Sequence, residues 1–541
     1  MNPDWRRDRE ALTRRYYAEG IYGAVTLADA MRTGAAAHPD VRMIFHSDEH
    51  PGEATLAEMH ARSRELAASL QGLGLGPGDA IAIQVPNWLE GAVSFQAAMI
   101  LGAVIVPVIH IYGPAEVAFI LEQSGARAFL CPDRWRHIDY FERLDRLDRE
   151  RLPALEHVIT LGDRAYPGAI AWSELEASGA KHFTPPAISA DDVCMQIYTS
   201  GTTANPKGVR HTHNTLLAEV RSSRAMLDAG EIPVNLAAFP AGHIAGVLGL
   251  LRPYLFGGRT VLMDTWDPAD AALLIEEHGL NSTSGAPVFL STLLDAAERD
   301  GRDLSSIASY MTGAAAVPPA LVERADRASV PSYRCYGSSE HPTITSSLPT
   351  DPLDKRAGSD GRLLPDVEIR LVDDEGKDVA AGQPGEVATR GPELFVGYSD
   401  DALNVASFLP GGWFLTGDIG VLDVDGYLTI TDRKKDVIIR GGENIASKEV
   451  EDVLSRHSSV EDVAVVAEPD ERYGERVCAF VTLREGAALS LDEVRGHFEA
   501  VGVARQKTPE RLEVVEEFQR TAAGKIKKFA LRDQLRAEHG A

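Results

Sequence analysis

The chain has 541 residues, more than one hydrophobic core accommodates, so roughly two to four domains are expected. Hydrophobic residues make up 44% of it and charged residues 25%, the balance of an ordinary globular protein. With 54 basic and 80 acidic residues, the formal net charge is -26, which argues against nucleic acid or an anionic membrane as a partner. A local site for a polyanionic ligand remains compatible with this total.

Cysteine usage and hydropathy indicate a cytoplasmic protein. The cysteines are Cys131, Cys194, Cys335 and Cys478. They are scattered and lack metal-ligand spacing, so we expect reduced thiols. Residues 1–15 are charged and lack the apolar core of a secretory signal. The longest apolar run, 97–111, is shorter than the roughly 20 residues of a spanning helix, so no integral membrane segment is expected.

Strands and helices are predicted to alternate along the first 360 residues. The first 60 or so residues read as a lead-in with one helix at 26–37. Helices are then predicted at 56–73, 87–101 and 114–123, strands at 80–85, 104–108 and 127–131, and a charged surface helix within 133–151. Further strands are predicted at 236–239, 260–263, 282–284, 309–311 and 332–335, with helices at 268–278, 287–299 and 318–328. This alternation predicts mainly parallel sheets covered on both faces.

The composition changes near Gly361 and again near Asp432. β-like segments at 367–372, 385–389 and 428–430, separated by Asp- and Gly-containing turns, predict a β-rich subdomain at about 361–431. A separate C-terminal α+β domain is predicted from 433 to 541. The expected organisation is therefore an N-terminal domain at 1–432 followed by this smaller domain.

A glycine- and hydroxyl-rich loop follows the apolar run Val193–Tyr198. Residues 197–208 read Ile-Tyr-Thr-Ser-Gly-Thr-Thr-Ala-Asn-Pro-Lys-Gly. A strand that opens into such a loop before a helix is typical of a phosphate site, because backbone amides, hydroxyls and a lysine converge there. Pro206 stands where the usual P-loop has glycine before its lysine, so an ordinary P-loop is excluded. A polar surface turn is the alternative reading.

Two further motifs carry carboxylates. Residues 336–340, Tyr-Gly-Ser-Ser-Glu, follow a predicted strand, where α/β sheets bind ligands. Glu340 is suited to hold Mg²⁺ beside a triphosphate, and Ser339 to donate to a phosphate oxygen. Asp418 ends the run Trp413–Asp418 and is suited to accept both ribose hydroxyls. The alternatives are a strand-end turn for the first motif and a turn-capping aspartate for the second.

Two basic motifs complete the set. Residues 432–436, Asp-Arg-Lys-Lys-Asp, precede 440–445, Arg-Gly-Gly-Glu-Asn-Ile, and by themselves read as a charged linker and a turn. Residues 519–526 place Lys525 on a loop of small residues near the C-terminus, where most lysines are simply solvated.

All five motifs, in this order and at these distances, resemble the adenylate-forming superfamily of acyl-CoA synthetases, luciferases and peptide-synthetase adenylation domains. The resemblance covers the chain from about residue 25 onward. It implies an α/β protein: a large N-terminal domain of two sheets plus a β-barrel, and a small hinged C-terminal α+β domain. It also implies a reaction in which a carboxylate attacks the α-phosphate of ATP to give acyl-adenylate and pyrophosphate, and a thiol then displaces AMP. Because the attack brings anions together, fixed cations and donors are needed.

The resemblance assigns roles to named residues. The phosphates and pyrophosphate are expected to be bound by Thr199, Ser200, Gly201, Thr202, Thr203 and Lys207. Gly313, Ala314, Ala315 and Tyr336 flank the adenine, in one nucleotide site with Gly337 and Ser338. Ser339 and Glu340 meet the α-phosphate and Mg²⁺, and Asp418 takes the ribose hydroxyls with Arg433 nearby. Lys525 bridges the carboxylate and the α-phosphate in the first step only. Lys435 is the hinge, and rotation about it brings Gly441, Gly442 and Glu443 to a pantetheine tunnel.

The segment Phe239–Gly246 matches the gate to the acyl pocket, and it places His243 against the bound acid. Peptide-synthetase domains have an aspartate here, which this chain lacks, so an amino acid is not expected. Ala245, Gly246, Gly249, Gly285 and Ala286 are small, and Ile244, Val247, Val288 and Phe289 are apolar. A roomy, uncharged pocket is therefore predicted, which suits a medium-chain fatty, alicyclic or aromatic acid.

Free CoA is the expected acceptor, because no carrier-protein domain is fused at the C-terminus. The expected cofactors and partners are ATP, Mg²⁺, coenzyme A and a small carboxylic acid, and a homodimer is left open. Three alternatives remain: an acyl-AMP ligase that loads a carrier protein, a luciferase-like oxygenase, and a silent nucleotide-binding protein. The joint presence of Glu340, Asp418, Arg433 and Lys525 argues against the last.

Overall fold

A computed structural model of the chain describes residues 2–177, 183–199, 206–226, 232–440, 443–470, 472–501, 503, 505–521 and 524–539. Up to the phosphate loop, its elements are α1 (Trp5–Ala18), α2 (Leu27–Ala37), β1 (Arg42–His46), β2 (Gly52–Thr55), α3 (Leu56–Gly72), β3 (Ala80–Ile83), α4 (Leu89–Leu101), β4 (Val104–Pro107), α5 (Pro114–Ser124), β5 (Ala128–Pro132), β6 (Arg134–Trp135), β7 (Ile138–Asp139), α6 (Tyr140–Leu144), β8 (His157–Leu161), β9 (Ile170–Ala171), α7 (Trp172–Ala177) and β10 (Val193–Thr199).

The middle of the chain continues with β11 (Lys207–Thr212), α8 (His213–Ser222), β12 (Asn235–Ala237), α9 (Ile244–Phe256), β13 (Thr260–Met263), α10 (Pro268–His278), β14 (Ser282–Gly285), α11 (Pro287–Asp300), β15 (Ser309–Thr312), α12 (Pro319–Arg327), β16 (Ser332–Tyr336), β17 (Thr345–Ser346), α13 (Leu353–Gly358) and β18 (Arg362–Leu363).

The remainder contains β19 (Glu368–Val372), β20 (Gly385–Arg390), β21 (Gly397–Tyr398), α14 (Asp401–Ser407), β22 (Phe408–Leu409), β23 (Trp413–Leu422), β24 (Leu428–Arg433), β25 (Ile438–Arg440), β26 (Glu443–Ile445), α15 (Ser447–Leu454), β27 (Val460–Asp470), β28 (Gly474–Leu483), α16 (Leu491–Val501), β29 (Arg511–Val514) and α17 (Lys528–Glu538).

Two large sheets form the frame of the nucleotide site. One has the strand order β18-β17-β16-β15-β14-β12-β13-β1-β2, and the other has the order β21-β11-β10-β4-β3-β5-β8-β9. Neighbouring strands β12 to β16 run parallel, so their carboxyl ends meet along one edge. Helix α4 is apolar on every side and buried along nearly its whole length, as expected of a helix enclosed by other elements.

Two smaller sheets follow. Strands β19, β20, β22, β23 and β24 form an antiparallel sheet, which accounts for the β-rich segment predicted at about 361–431. Strands β25 to β29 form a second sheet with an apolar cluster on each face. Because side chains alternate along a strand, Val463 and Val465 join one cluster while Ala464 and Val466 join the other. The boundary between residues 432 and 433 stays a prediction.

A buried ion pair ties β16 to the edge of β24. The Arg334 guanidinium donates to Asp360 Oδ1 from two nitrogens, at 2.9 and 2.6 Å, and the Ile430 amide donates to Asp360 Oδ2 at 2.8 Å. Both charged side chains are less than a tenth exposed. A charge pair removed from water is held only when its geometry is well satisfied, so this one fixes the position of β16 against β24.

Two of the sequence expectations are wrong. The lead-in contains a further helix, α1, whose Trp5 ring stacks on Phe408 at 5.5 Å and whose Arg9 donates to the Leu394 carbonyl at 2.9 Å. Its apolar face is narrow and lies among many charges, so the sequence reads as a charged segment. The surface helix predicted within 133–151 is instead the hairpin β6–β7, the short α6 and a 3-10 turn. Among the described helices, none is long and apolar enough to span a membrane.

Candidate active site

The phosphate loop joins two antiparallel strands. Thr199 ends β10 and pairs with Lys207, the first residue of β11. The strand β11, which the sequence analysis did not predict, lies between the loop and α8, and α8 begins at His213. The amides at the start of α8 therefore lie at the far end of β11. Ser200, Gly201, Thr202 and Thr203, predicted phosphate residues, lie outside the described residues.

Lys207 and Glu340 are connected through Tyr398, a residue that no motif indicated. The Lys207 ammonium lies 5.2 Å from the centre of the Tyr398 ring, and the Tyr398 hydroxyl donates to Glu340 Oε1 at 2.7 Å. Burial, and then the Glu340 charge, raise the pKa of Tyr398 above its usual value, so the hydroxyl stays a donor. Tyr398 is on β21, which pairs with β11, and only the folded sheet reveals this neighbourhood.

The 336–340 motif forms a tight turn after β16. A Cβ on Gly337 would lie 2.0 Å from the Pro342 carbonyl oxygen, so only glycine fits there. The Ser338 amide donates to the His341 carbonyl at 2.9 Å. The buried His211 ring on β11 contacts the Ser339 carbonyl oxygen at 2.8 Å through Nε2. Burial lowers the pKa of His211 to about 4, so the neutral ring donates to that oxygen and anchors the turn.

Asp418 is the most highly connected of the predicted carboxylates. Its Oδ2 accepts from the Tyr336 hydroxyl at 2.7 Å, and its Oδ1 pairs with Arg433 Nε at 2.9 Å. Asp418 and Arg433 are cross-strand partners in the β23–β24 ladder. The Asp418 charge raises the pKa of Arg433, and burial and Asp418 raise that of Tyr336, so both stay protonated donors. One carboxylate is thus oriented by two different sheets.

The predicted adenine-flanking residues lie at the carboxyl end of β15. The Gly313 amide donates to the Gly285 carbonyl at 3.3 Å, and a Cβ on Gly313 would lie 2.5 Å from Cys335 Sγ. Ala314 has φ +64°, a conformation that costs a non-glycine residue energy and is common at functional turns. Ala315 follows in the same turn. The backbone at Gly313 therefore packs closely against Cys335, the residue before Tyr336.

Lys525 reaches this cleft from the C-terminal region. It lies on a turn closed by the Arg520–Ile526 bridge, where the Thr521 amide donates to the Lys525 carbonyl at 2.7 Å. Burial, and then the Arg433 charge, lower the pKa of Lys525 to about 8, while Asp418 and Glu340 act in the opposite direction. A Cβ on neighbouring Gly524 would lie 3.2 Å from Val288 Cγ1. The turn is therefore adjacent to Val288, a residue of the predicted acyl pocket.

The predicted hinge, Lys435, lies two residues after the end of β24. Burial and the Arg433 charge lower the pKa of Lys435 to about 8. Asp432 accepts from the Ser447 hydroxyl at 3.0 Å and so connects the end of β24 to α15. Gly441 and Gly442 lie outside the described residues, and of Glu443 only the backbone, in β26, is described. The role of these residues at the pantetheine path therefore stays a prediction.

His243 starts helix α9 and heads a row of aromatic rings. Its Nδ1 accepts from the Ala245 amide at 3.2 Å. Its ring stacks on Phe239 at 5.3 Å, Phe239 packs on Phe289 at 5.7 Å, and Phe289 stacks on Trp266 at 4.6 Å. Burial and the charge of Lys525 lower the pKa of His243 to about 4, so the ring is neutral. Trp266 lies outside every sequence motif.

Several small residues predicted to open the acyl pocket have another role. A Cβ on Gly246 would lie 2.0 Å from the Pro240 carbonyl oxygen, and one on Gly285 would lie 2.7 Å from the Tyr310 hydroxyl. Ile244 and Val247 are buried in the main hydrophobic core. These residues therefore serve close packing.

Comparisons with known proteins identify the family of the chain. The model of the AMP-binding enzyme family matches residues 31–399, and that of the AMP-binding enzyme C-terminal domain matches residues 449–525. The chain belongs to this family. The resemblance drawn from the five motifs is confirmed, and so are the fold class and the assignment to the ligases.

Three relatives illustrate the match. The medium-chain fatty-acid–CoA ligase of Escherichia coli is 35% identical over 96% of this chain and 92% of its own length. The 3-[(3aS,4S,7aS)-7a-methyl-1,5-dioxo-octahydro-1H-inden-4-yl]propanoyl:CoA ligase of Mycobacterium tuberculosis is 36% identical over 86% of this chain and 91% of its own. The structure of O-succinylbenzoate coenzyme A synthetase from Bacillus subtilis, with ATP and magnesium, has a TM-score of 0.80 and 28% identity, over 94% of this chain and 99% of that one.

Replacing Tyr398 by phenylalanine removes one hydroxyl and keeps the ring over Lys207. We expect Tyr398→Phe to raise the Mg²⁺ concentration for half-maximal pyrophosphate release about 10-fold or more, because Glu340 loses its orienting donor. The control is Tyr166→Phe, which removes an exposed tyrosine–aspartate hydrogen bond of 2.8 Å elsewhere. Equal Mg²⁺ dependence in both variants would contradict the role of Tyr398.

Proposed function

We propose that this chain activates a small carboxylic acid as its acyl-adenylate and transfers the acyl group to coenzyme A. One observation carries the proposal: Lys525 of the C-terminal region lies in the same cleft as Asp418, Arg433 and Glu340 and acts on His243 at the acyl gate. Cations and carboxylates in one cleft are what the attack of one anion on another requires. The CoA ligases among the relatives support CoA as the acceptor.

In the first step the acid's carboxylate oxygen attacks the α-phosphorus of ATP, and the bond to the leaving pyrophosphate breaks. Lys525 binds the attacking carboxylate and the α-phosphate, and Lys207 with the loop at 199–203 holds the departing phosphates. Asp418 receives the ribose hydroxyls, and Gly313, Ala314, Ala315 and Tyr336 enclose the adenine. In the second step the thiol of CoA attacks the acyl carbon and AMP leaves with the bonding electrons.

The residues present fit a magnesium–nucleotide complex. Lys207, Arg433, Lys435 and Lys525 outnumber the carboxylates Glu340 and Asp418, which suits a polyanion. In the described part of the chain, no group of three or more metal-ligating side chains is found. Mg²⁺ usually takes one or two carboxylates and completes its shell with phosphates and water, so Glu340 is sufficient to hold it. Held by Glu340, the ion would offset part of the negative charge of the phosphates.

The acid is proposed to be a medium-chain, alicyclic or aromatic carboxylic acid, and the enzyme is proposed to act in the cytoplasm. The aromatic row from His243 to Trp266 offers flat apolar surface at the entrance. The medium-chain fatty-acid–CoA ligase of Escherichia coli and the octahydro-inden-4-yl-propanoyl:CoA ligase of Mycobacterium tuberculosis support this range of sizes. Lys435 would act as the hinge, and residues 441–443 would line the pantetheine path after rotation.

A pyrophosphate-release assay with ATP, Mg²⁺ and a panel of these acids, with and without CoA, tests the proposal. We expect release with at least one acid and formation of its CoA thioester. Release without any thioester would instead favour an acyl-AMP ligase or an oxygenase. No release with any acid would overturn the proposal in favour of a silent nucleotide-binding protein.

Lys525→Ala should separate the two half-reactions. Pyrophosphate release should fall about 10²–10³-fold, because one cationic contact to the transition state is lost. Conversion of preformed acyl-AMP and CoA to the thioester should persist. Lys527→Ala, two residues further on, is the control and should leave both steps unchanged. An equal loss of both steps in Lys525→Ala would show that Lys525 does not act specifically in adenylation.

The pH dependence of adenylation should report Lys525. Since its pKa is lowered to about 8, the charged form is lost as pH rises through that value, and kcat/KM for pyrophosphate release should fall above about pH 8. Lys525→Arg should be slower but show no such fall, because a guanidinium stays protonated. Lys435, whose pKa is also lowered to about 8, supplies the control. In Lys435→Arg, kcat/KM should still decrease above about pH 8. The opposite pattern would assign the titration to Lys435.

A further inference from the structure

A cavity lies beyond the aromatic row, between helix α9 and strands β14, β15 and β16. Its volume is about 50 Å³, which is room for a few water-sized groups. Its walls include Arg252 and Phe256 of α9 and Ser282, Ser284, Met311 and Tyr333 of the strands. None of the residues predicted to form the uncharged acyl pocket lines this cavity, and its wall contains a guanidinium.

Arg252 is the charged residue of an otherwise apolar helix. Helix α9 reads Ile-Ala-Gly-Val-Leu-Gly-Leu-Leu-Arg-Pro-Tyr-Leu-Phe, and most of its residues are buried. The Arg252 side chain nevertheless keeps accessible surface, which it owes to the cavity. Burial lowers the pKa of Arg252, but a guanidinium remains protonated in a protein. A cation held in an apolar element at this depth needs a partner, since removing an unpaired charge from water is costly.

The described residues do not supply a direct partner. Within them, the Arg252 guanidinium makes neither a hydrogen bond nor an ion pair, and no carboxylate lines the cavity. Glu219 is the carboxylate whose charge acts on Arg252. Both Glu219 oxygens already accept from Thr343, from the hydroxyl at 2.7 Å and from the amide at 3.2 Å. Burial raises the pKa of Glu219 to about 7, so its negative charge is only partly available.

Strand β14 is unusual in the same region. A parallel strand inside a sheet is normally rich in Val, Ile and Leu, whereas β14 reads Ser-Thr-Ser-Gly. Ser282 and Ser284 project into the cavity, and on the adjacent strands Ser309 bonds the Tyr333 hydroxyl at 2.8 Å. Small hydroxyl side chains leave space and offer donors. The sheet therefore faces Arg252 with a polar surface.

The elements that line the cavity also reach the reacting centre. Helix α9 begins directly after His243, and Arg252 lies nine residues later, about 13 Å along the helix axis. Strand β14 ends at Gly285, and the next residue, Ala286, would be 3.5 Å from a Cβ on Gly524, beside Lys525. Helix α9 and strand β14 thus each have one end near the Lys525 turn and line the cavity at Arg252, and an acid that joins the two would extend along α9.

We propose that the acid used by this enzyme carries a second oxygen acceptor, a carboxylate or a carbonyl, at its far end, and that Arg252 binds that group at the bottom of the acyl pocket. This inference rests on the proposed acid activation and specifies its substrate class. The distal group supplies the partner that Arg252 lacks, and the hydroxyls of Ser282 and Ser284 complete its surroundings. Arg252 is a specificity residue and takes no part in the bond changes at the α-phosphate.

The test compares three series of acids, about eight to twelve carbons long to match the depth of about 13 Å: monocarboxylic, α,ω-dicarboxylic and oxo acids with the carbonyl near the far end. The measurement is kcat/KM for pyrophosphate release by the full-length protein and by Arg252→Met. The control is Arg259→Met, which removes a nearby arginine that bonds the His278 carbonyl and does not line the cavity.

We expect the wild-type protein to prefer a dicarboxylic or oxo acid over the monocarboxylic acid of equal length. Arg252→Met should lower kcat/KM for the preferred acid about 10- to 100-fold, the loss typical of a charged hydrogen-bond partner. It should leave the monocarboxylic acids within a few-fold, and Arg259→Met should keep the wild-type ranking. A preference for both substituted series would identify any carbonyl oxygen as sufficient, and a preference for the diacids alone would identify the carboxylate.

The proposal is overturned if the wild-type protein uses monocarboxylic acids at least as well at every length and Arg252→Met leaves the ranking unchanged. A protein that releases no pyrophosphate with any acid gives a different result, which contradicts the acid-activating function itself. A uniform loss across all three series in Arg252→Met would mark a structural arginine and would likewise overturn the proposal.

Discussion

The Asp418 carboxylate is held from two directions by groups that belong to different sheets. Tyr336 ends a parallel strand of the large nine-stranded sheet, and Arg433 is the cross-strand neighbour of Asp418 in the antiparallel sheet. Nearby, the buried Arg334–Asp360 pair fixes the position of one of these sheets against the other. A carboxylate with fixed donors has a defined direction, so Asp418 is a fixed point of the cleft, and we propose that it sets the position of the ribose.

Positive charge is crowded at the same place. Lys525 and Lys435 each have the pKa lowered to about 8, in both cases by burial and then by Arg433. Like charges at close range repel, and the two carboxylates offset them only in part. A bound polyanion would relieve this repulsion, and the departure of pyrophosphate would restore it. A bound triphosphate would therefore stabilise the arrangement in which the Lys525 turn lies close to Arg433.

Sequence patterns predicted the regular parts of the fold well, because their signals are local. Helices such as α10 and α11 begin at prolines, and the short apolar strands between them are bounded by turns. Helix α1 was missed because its buried face is a narrow stripe among charges, and β11 was missed because its residues are polar. The motif residues were identified from the sequence because their side chains carry a recognisable chemistry at a fixed spacing. Tyr398 was not identified, because its contact with Glu340 arises only when the strands pair. Arg252 did leave a signal, a single charge in an apolar run.

The contact of Gly524 with Val288 and Ala286 links two properties that are usually considered separately. The turn that carries Lys525 forms part of the wall beside the acid, so an acid that fits this wall binds one arrangement of the C-terminal region more tightly than any other. Thermodynamic linkage is reciprocal: whatever free energy the acid gains from that arrangement also shifts the population of the arrangement toward it. Selectivity for the acid and the position of the C-terminal region therefore depend on the same coupling free energy. A substitution that changes the acid's preference for that arrangement must also change the fraction of acid-bound molecules in which the Lys525 turn lies in the cleft.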